Sequence, residues 1–131
     1  MPNEDLSCQV AVVTGGAGVL GRAMAPGLAD AGGKVAIMSR TASKVDEAVA
    51  RIEAAGGTAL ALTADVLDRA QLVEAREKLL AHWGSIDILV NAAGGNMKGA
   101  TIMPEQSFFD LSVPDFQRVT DLNLKGTVLP T

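Results

Sequence analysis

The stretch VAVVTGGAGVLGRAMA, residues 10–25, decides the fold that we expect for this chain. A run of valines predicts a strand, and Gly16, Gly18 and Gly21 then spell G-x-G-x-x-G at the start of a predicted helix. In this setting the first glycine allows a tight turn, the second lets a pyrophosphate approach the backbone, and the third lets helix and strand pack closely. The stretch therefore predicts a dinucleotide-binding turn, and a glycine-rich turn without a ligand is the alternative.

Strand and helix signals alternate along the whole chain. Short apolar runs bounded by turn signals predict strands over residues 9–14, 34–39, 58–64 and 86–92. Helices are predicted over residues 20–31, over 43–55, after a capping box at 68–71, and over 113–128. Because the connections are short, we expect a parallel sheet in the order 3-2-1-4 with right-handed crossovers. The predicted fold class is α/β, a Rossmann-type doubly wound parallel sheet of four strands with flanking helices.

Composition and charge exclude several classes of function. Of the 131 residues, 48% are hydrophobic and 20% are charged, which is typical of a soluble globular protein. The net charge of −4 argues against nucleic acid as a partner, because phosphate backbones require a basic surface. No apolar run reaches the roughly 18 residues of a membrane helix, so no membrane partner is expected. The single cysteine, Cys8, cannot form an internal disulfide, which favours a reducing cytoplasm. His82 lacks partner ligands at metal-site spacing, so we predict no metal site.

The end of the second predicted strand indicates which dinucleotide is bound. An acidic residue about 20 positions after the glycines would bind the 2′-hydroxyl of NAD. Ser39 and Arg40 stand there instead, and a small residue followed by a permanent cation suits the 2′-phosphate of NADP. NADP is therefore favoured over NAD, and the alternative for Arg40 is a solvated charge at a strand end.

Further motifs occur in the same order as in one family of enzymes. TGGAGVLG at 14–21, ADV at 64–66, DILVNAAGG at 87–95 and DLNLKGT at 121–127 resemble the successive motifs of the short-chain dehydrogenase/reductase family. Residues 94–131 resemble the branch of D-mannonate (fructuronate) oxidoreductases. The resemblance implies an NAD(P)-dependent oxidoreductase that transfers hydride at a carbonyl or alcohol carbon. Its small-molecule substrate would be, for example, a sugar acid such as mannonate or fructuronate, and the protein would be a homo-oligomer.

The resemblance also implies roles for the residues of the glycine-rich turn. Thr14, Gly15, Gly18 and Gly21 would form the cofactor turn, with Leu20 beside the pyrophosphate. The middle glycine of the family motif stands one position early here, at Gly18. We therefore expect the local backbone to follow the G-x-G-x-x-G geometry rather than the geometry usual in the family.

Later motifs supply the rest of the implied site. Asp65 would accept a hydrogen bond from the adenine amino group with Val66 beside the ring, and the alternative for Asp65 is a loop or helix-entry residue. The sequence NAAG, where NNAG is usual in the family, would line the ribose and brace the sheet with Asn91, Ala92, Ala93 and Gly94. Asn123 matches the helix asparagine that holds a water in the family's proton relay, and it is our candidate catalytic residue.

The catalytic groups of the family are missing from the sequence. The family uses a tyrosine as general acid/base, a nearby lysine that lowers its pKa and a serine that positions the substrate oxygen. The chain contains no tyrosine, and Ser107, Ser112 and Lys125 lie in the wrong segments to replace these groups. We therefore expect residues 1–131 to be a single dinucleotide-binding domain, the N-terminal half of a longer enzyme without its catalytic half, and inactive alone. A non-catalytic dinucleotide-binding module is the alternative.

Overall fold

The sheet follows the predicted topology. The computed structural model describes residues 5–131. Its strands are parallel and lie in the order β3-β2-β1-β4. Their bounds are β1 Val10–Thr14, β2 Lys34–Ser39, β3 Thr58–Thr63 and β4 Ile88–Asn91. The predicted fold class and strand order are confirmed, and the carboxyl ends of β1, β2 and β4 meet at one edge of the sheet.

The helices alternate with the strands as predicted. Their bounds are α1 Gly21–Asp30, α2 Ala42–Ala54, α3 Arg69–Trp83, α4 Val113–Thr120 and α5 Gly126–Val128. Short 3₁₀ turns over Lys98–Ala100 and Phe108–Asp110 interrupt the long segment between β4 and α4. Within residues 5–131, no helix combines the length and the apolar character that crossing a membrane would require.

The core lies on both faces of the sheet, because alternate residues of a strand point to opposite faces. On one face Val12 and Met38 pack with Leu79 of α3. On the other face Val13 and Ile37 pack with side chains of α1 and α2. Every residue of β1 is buried, which explains why Val10 to Val13 form an unbroken apolar run rather than an alternating one.

The side chain of Asp87 joins the chain just before β4 to the first residue of β1. The predicted strand covered residues 86–92, whereas the observed strand starts at Ile88. The carboxylate Oδ2 of Asp87 accepts the backbone N–H of Val10 at 2.8 Å and the hydroxyl of Ser85 at 3.1 Å. A side chain therefore supplies the acceptor for the first amide of β1.

The capping box before α3 is only half formed. The side chain of Asp68 accepts from the backbone amides of Ala70 and Gln71, as predicted. The side-chain oxygen of Gln71 accepts the N–H of Asp65 at 2.9 Å, rather than the N–H of Asp68 as a full box requires. The reason is that the amide of Asp68 already donates to the carbonyl of Asp65. Gln71 therefore ties α3 to the loop that follows β3.

The last predicted helix contains a change of helix type. We predicted one helix over residues 113–128, and Ser112 caps its start by accepting the N–H of Asp115 at 3.3 Å. A π-helical turn over Asp121–Lys125 separates α4 from α5. Within this turn the side-chain amide of Asn123 donates to the carbonyl of Val119 at 2.8 Å. That carbonyl is the acceptor that the backbone N–H of Asn123 would use in an α-helix, so the side chain competes with the regular ladder.

Candidate cofactor site

A cavity of about 590 Å³ lies at the carboxyl ends of β1, β2 and β4. Ligands of open α/β sheets bind in this position. Most of the predicted cofactor residues line it, namely Gly15, Gly18, Leu20, Ser39, Arg40, Val66, Ala92, Ala93 and Gly94. Thr14, Gly21, Asp65 and Asn91 lie outside its lining. The sequence prediction therefore gathers one site from segments that are far apart in the chain.

The tight turn after β1 is made by Gly15. Its φ of +63° lies in the left-handed region, and a Cβ there would lie 2.7 Å from both the carbonyl oxygen of Ala92 and the Cα of Ala93. We predicted the tight turn at Gly16. Gly16 instead packs against the side chain of Ile37, whose Cγ2 would lie 2.8 Å from a Cβ added to Gly16. The sheet crowds both glycines, but only Gly15 requires the left-handed conformation.

Gly21 packs as the third glycine of the motif should. A Cβ on Gly21 would overlap the carbonyl oxygen of Gly15 and lie 2.5 Å from the Cα of Gly16. Gly18 is less crowded, because an added Cβ would meet the carbonyl oxygen of Gly15 at 3.1 Å. Gly21 thus packs against the side of the turn that faces away from the cavity, and it does not line the cavity.

The start of α1 presents backbone donors at the cavity mouth. Within residues 5–131, no acceptor takes the N–H groups of Val19, Leu20 or Gly21, and Leu20 at the N-cap forms no side-chain cap. The side chains of Val19 and Leu20 are 90% and 70% exposed. Unpaired amides at a helix N-terminus favour a negatively charged group.

Thr14 braces the sheet beneath the cavity. Its side chain is fully buried, and its hydroxyl accepts the N–H of Ala92 at 3.2 Å and that of Ala93 at 3.3 Å. These bonds hold the chain that leaves β4 against the end of β1. Thr14 therefore supports the site from below.

After β3, the cavity is lined by Val66 rather than by Asp65. The carboxylate Oδ1 of Asp65 accepts the N–H of Leu67 at 2.9 Å, a turn that fits the loop alternative for this residue. Val66 is buried, lines the cavity and packs against Gly126, where an added Cβ would lie 3.1 Å from its Cγ2. The wall at Val66 therefore rests on α5.

Arg40 brings a positive charge to the cavity wall without a protein partner. Arg40 lines the cavity beside Ser39, and no acidic residue in the described part of the chain pairs with its side chain. The next helix starts two residues later, and its N-cap Thr41 forms no side-chain cap. A cation and an uncapped helix start are thus adjacent at the end of β2.

Asn123 is fixed to the loop after β4. Its side-chain nitrogen donates to the carbonyl of Gly95 at 2.7 Å, and its side-chain oxygen accepts the N–H of Gly95 at 3.2 Å. An added Cβ on Gly94 would lie 2.7 Å from the same oxygen. The side-chain amide is therefore fully engaged with protein atoms, and it anchors the cavity wall to the π-helical turn.

The other polar candidates have local partners. Ser107 and Ser112 cap the helical turns that follow them. The ammonium of Lys125 lies 2.9 Å from a carboxylate oxygen of Asp121 and, with the amide of Gln117, lowers the pKa of that carboxyl. Among residues 5–131 no group of three or more His, Cys, Asp or Glu side chains could hold a metal ion.

Similarity to known proteins agrees with this geometry. The family model described as short chain dehydrogenase matches residues 9–131. The chain belongs to the short chain dehydrogenase family. Its single sheet of four parallel strands with flanking helices matches the solved structures of this family.

Individual proteins and solved structures are also similar to this chain. An uncharacterized oxidoreductase of Bacillus subtilis (strain 168) is 47% identical over 135 residues, covering 97% of this chain and 49% of that protein. The crystal structure of a provisionally named D-mannonate oxidoreductase from Haemophilus influenza, with bound NAD, has a TM-score of 0.92 at 32% identity. It covers 98% of this chain and 50% of that one. A metagenomic short-chain oxidoreductase in complex with NADP has a TM-score of 0.82 at 29% identity. The chain thus spans about half the length of the relatives it matches.

The sequence analysis missed several cavity residues of this short chain dehydrogenase. Met38 near the end of β2 and Ala64 just after β3 are buried and line the cavity. Val19, Gly95 and Leu122 line it as well. Met38 and Ala64 directly precede predicted site residues, so their position next to a motif was the available signal. Leu122 gave no such signal, because its place at the cavity depends on how the last helical segment packs.

Proposed function

We propose that the chain provides the cofactor-binding part of an NADP(H)-dependent oxidoreductase. The observation that carries this proposal is Arg40, which lines the cavity beside Ser39 where NAD-binding sites carry a carboxylate, and which has no ion pair within residues 5–131. A 2′-phosphate would be held by Arg40 and the uncapped start of α2, and the pyrophosphate by the amides at the start of α1. The bound cofactor would supply the hydride.

Similar structures contain different dinucleotides, so the preference between NADPH and NADH must be measured on this chain. One similar structure contains NAD and another contains NADP. We expect NADPH to bind more tightly than NADH in a fluorescence titration. Arg40→Gln should weaken NADPH binding about tenfold or more, since charge-assisted hydrogen bonds are the strong ones, and should leave NADH unchanged. Equal affinities for both cofactors in the wild type would contradict the preference.

Lys44 offers a matched control for Arg40. It lies in the first turn of α2 and is exposed, but it does not line the cavity. Lys44→Gln removes the same unit of charge from the same neighbourhood. We expect it to affect NADPH only weakly, through screened long-range attraction. A loss equal to that of Arg40→Gln would mean that general charge, rather than contact with Arg40, determines the affinity.

For the complete enzyme we propose a sugar-acid ketone or alcohol as substrate. Support comes from the relative that is provisionally named a D-mannonate oxidoreductase. Lys98 and Asn96, in the loop after β4, are our candidates for meeting a substrate carboxylate. The amide of Asn96 is engaged with Thr101 at 2.8 Å, whereas Lys98 is exposed and has no ion pair within residues 5–131, so Lys98 is preferred.

We propose that residues 1–131 form one dinucleotide-binding domain that binds cofactor without turnover. No phenol is available to protonate a developing alkoxide, because the chain contains no tyrosine. Asn123 would contribute by holding the loop at Gly95 through its side-chain amide, while its backbone carbonyl accepts the hydroxyl of Thr127. An assay of NADPH oxidation with fructuronate should show no rate above background. Measurable turnover by the isolated chain would overturn this proposal.

The proposed setting is a homo-oligomer in the cytoplasm. Phe116, Leu124 and Val128 are between 57% and 62% exposed on the last helical segment, which is a large apolar surface to leave in water. Sedimentation equilibrium would test association, and a monomer at all concentrations would contradict it.

A further inference from the structure

Arg22, the residue after the last glycine of the motif, holds the turn through two successive carbonyl groups. Its backbone N–H donates to the carbonyl of Gly18 at 2.9 Å. Its side-chain Nε–H reaches further back and donates to the carbonyl of Ala17 at 3.0 Å. Ala17 is itself buried in the core, at 6% exposure, so the side chain of Arg22 closes the turn onto a fixed point.

These two bonds determine where the amides of the turn point. In a trans peptide unit the carbonyl and the following N–H point in opposite directions. With the carbonyl of Ala17 directed at Arg22, the N–H of Gly18 is directed at the carbonyl of Gly15, to which it donates at 2.9 Å. With the carbonyl of Gly18 directed at Arg22, the N–H of Val19 points away from the helix, and Val19 lines the cavity.

The guanidinium also connects the turn to α2. A terminal nitrogen of Arg22 lies 3.7 Å from a carboxylate oxygen of Glu47, and the other oxygen of Glu47 is paired with Arg51 at 2.6 Å. The helix that carries Glu47 starts two residues after Arg40. One side chain therefore links the turn proposed for the pyrophosphate with the helix beside the proposed 2′-phosphate position.

We propose that Arg22 is a positioning residue for dinucleotide binding. It does not line the cavity, so it acts on the cofactor through the backbone of Ala17 and Gly18. Its side chain holds the turn in the binding conformation before the ligand arrives, and this preorganisation removes an ordering cost from binding. The inference rests on the proposed function, because it assumes that the cavity takes a dinucleotide.

The test compares two ligands that differ in whether they reach the turn. NADPH contains a pyrophosphate, whereas adenosine 2′-monophosphate carries only the group proposed to meet Arg40. Arg22→Met keeps the apolar stem and removes the donor, and we expect it to weaken NADPH about fivefold, the effect of one net hydrogen bond. Binding of adenosine 2′-monophosphate, measured by calorimetry, should be unchanged.

Further variants separate positioning from charge and from folding. Arg22→Lys retains the charge and a donor and should recover part of the NADPH affinity. Glu47→Gln should cost about twofold, since an exposed ion pair is weak. Arg76→Met, on α3, removes the same charge at a site paired with the neighbouring Glu77 and should change nothing. If Arg22→Met does not fold, the Lys and Glu47 variants provide the same comparison.

The outcomes distinguish this inference from the proposed function. Undiminished NADPH binding by Arg22→Met would overturn the role of Arg22 and leave the proposed function intact. An equal loss of both ligands would show a general structural role and would also overturn it. Binding of neither ligand by folded wild-type protein would overturn the proposed function, and the inference with it.

Discussion

Val66 rests on Gly126, where the α-hydrogen leaves space that a methyl group would take. A Cβ at position 126 would lie 3.1 Å from the Cγ2 of Val66, closer than most real Cβ contacts. Val66 lines the cavity on its other side, so the cavity wall between β3 and α3 is fixed from α5. The last helical segment, far along the chain, thus contributes to the shape of a site built around β1.

Gly126→Ala is expected to weaken cofactor binding with little effect on stability. The added methyl pushes Val66 toward the cavity, while alanine raises the helix propensity of α5 by about 1 kcal/mol. We expect a lower NADPH affinity in a fluorescence titration and a similar midpoint of urea unfolding. Gly27→Ala is the matched control, because Gly27 also lies in a helix but has nothing within 4 Å of an added Cβ. Equal affinities for both variants would contradict the packing argument.

Thr14→Val should destabilise the protein by about 1–2 kcal/mol. Valine keeps the shape of the buried side chain but removes the hydroxyl oxygen that accepts from Ala92 and Ala93. The amide of Ala92 retains the carbonyl of Thr14 as an acceptor, so the loss falls mainly on Ala93. Urea unfolding followed by circular dichroism measures the effect. Thr14→Ser, which keeps the oxygen, should be closer to wild type, and the reverse order would refute the bracing role.

Asp87→Ala should destabilise the pairing of β1 with β4. The amide of Val10 loses its acceptor, and Val10 is 2% exposed, so water cannot readily replace it. We expect a loss of about 1–3 kcal/mol in the free energy of unfolding. Asp46→Ala removes the same charge at an exposed position of α2 and serves as the control. Asp87→Asn retains an acceptor, so its loss in the free energy of unfolding should lie between those of Asp87→Ala and Asp46→Ala. Equal losses for Asp87→Ala and Asp46→Ala would refute this role.

We expect the contribution of Asp121 to the stability of the last helical segment to be lost at acid pH. The hydrogen bond from the Lys125 ammonium, followed by that from Gln117, lowers the pKa of Asp121 from 3.8. A lowered pKa in the folded state contributes stability above the unfolded value, and this contribution is lost as the pH falls through the folded value. Asp121→Asn should therefore flatten the dependence of unfolding free energy on pH below about pH 4. An unchanged slope in Asp121→Asn would contradict the prediction.

The sequence predicts the sheet and most of the cavity because both depend on local patterns. Apolar runs such as β2 are placed correctly at both ends, since their sequence is bounded by glycine and polar residues. The sequence predicts the tight turn at Gly16, whereas the left-handed residue is Gly15, because adjacent glycines cannot be told apart from the sequence. The contact with Ala92, made by tertiary packing, distinguishes them.

The π-helical turn is invisible to sequence analysis for a related reason. The segment has ordinary helix formers, and its register changes where Asn123 binds both Val119 and Gly95. The second of these contacts crosses 28 positions of sequence and exists only after the loop has folded against the helix. Patterns with a period of a few residues contain no information about such a contact.

The hydrogen bond between the Thr14 hydroxyl and the N–H of Ala92 connects cofactor binding with the folding of the sheet. These residues stand 78 positions apart, and the left-handed turn at Gly15 lies directly against Ala92, the residue that follows β4. The cavity proposed for the dinucleotide therefore forms only when β1 and β4 pair across a long stretch of sequence, and closing such long-range contacts is slow and entropically costly. A dinucleotide should consequently act as a folding probe for this chain, protecting the β1 and β4 amides from hydrogen exchange together and leaving the outer strand β3 less affected.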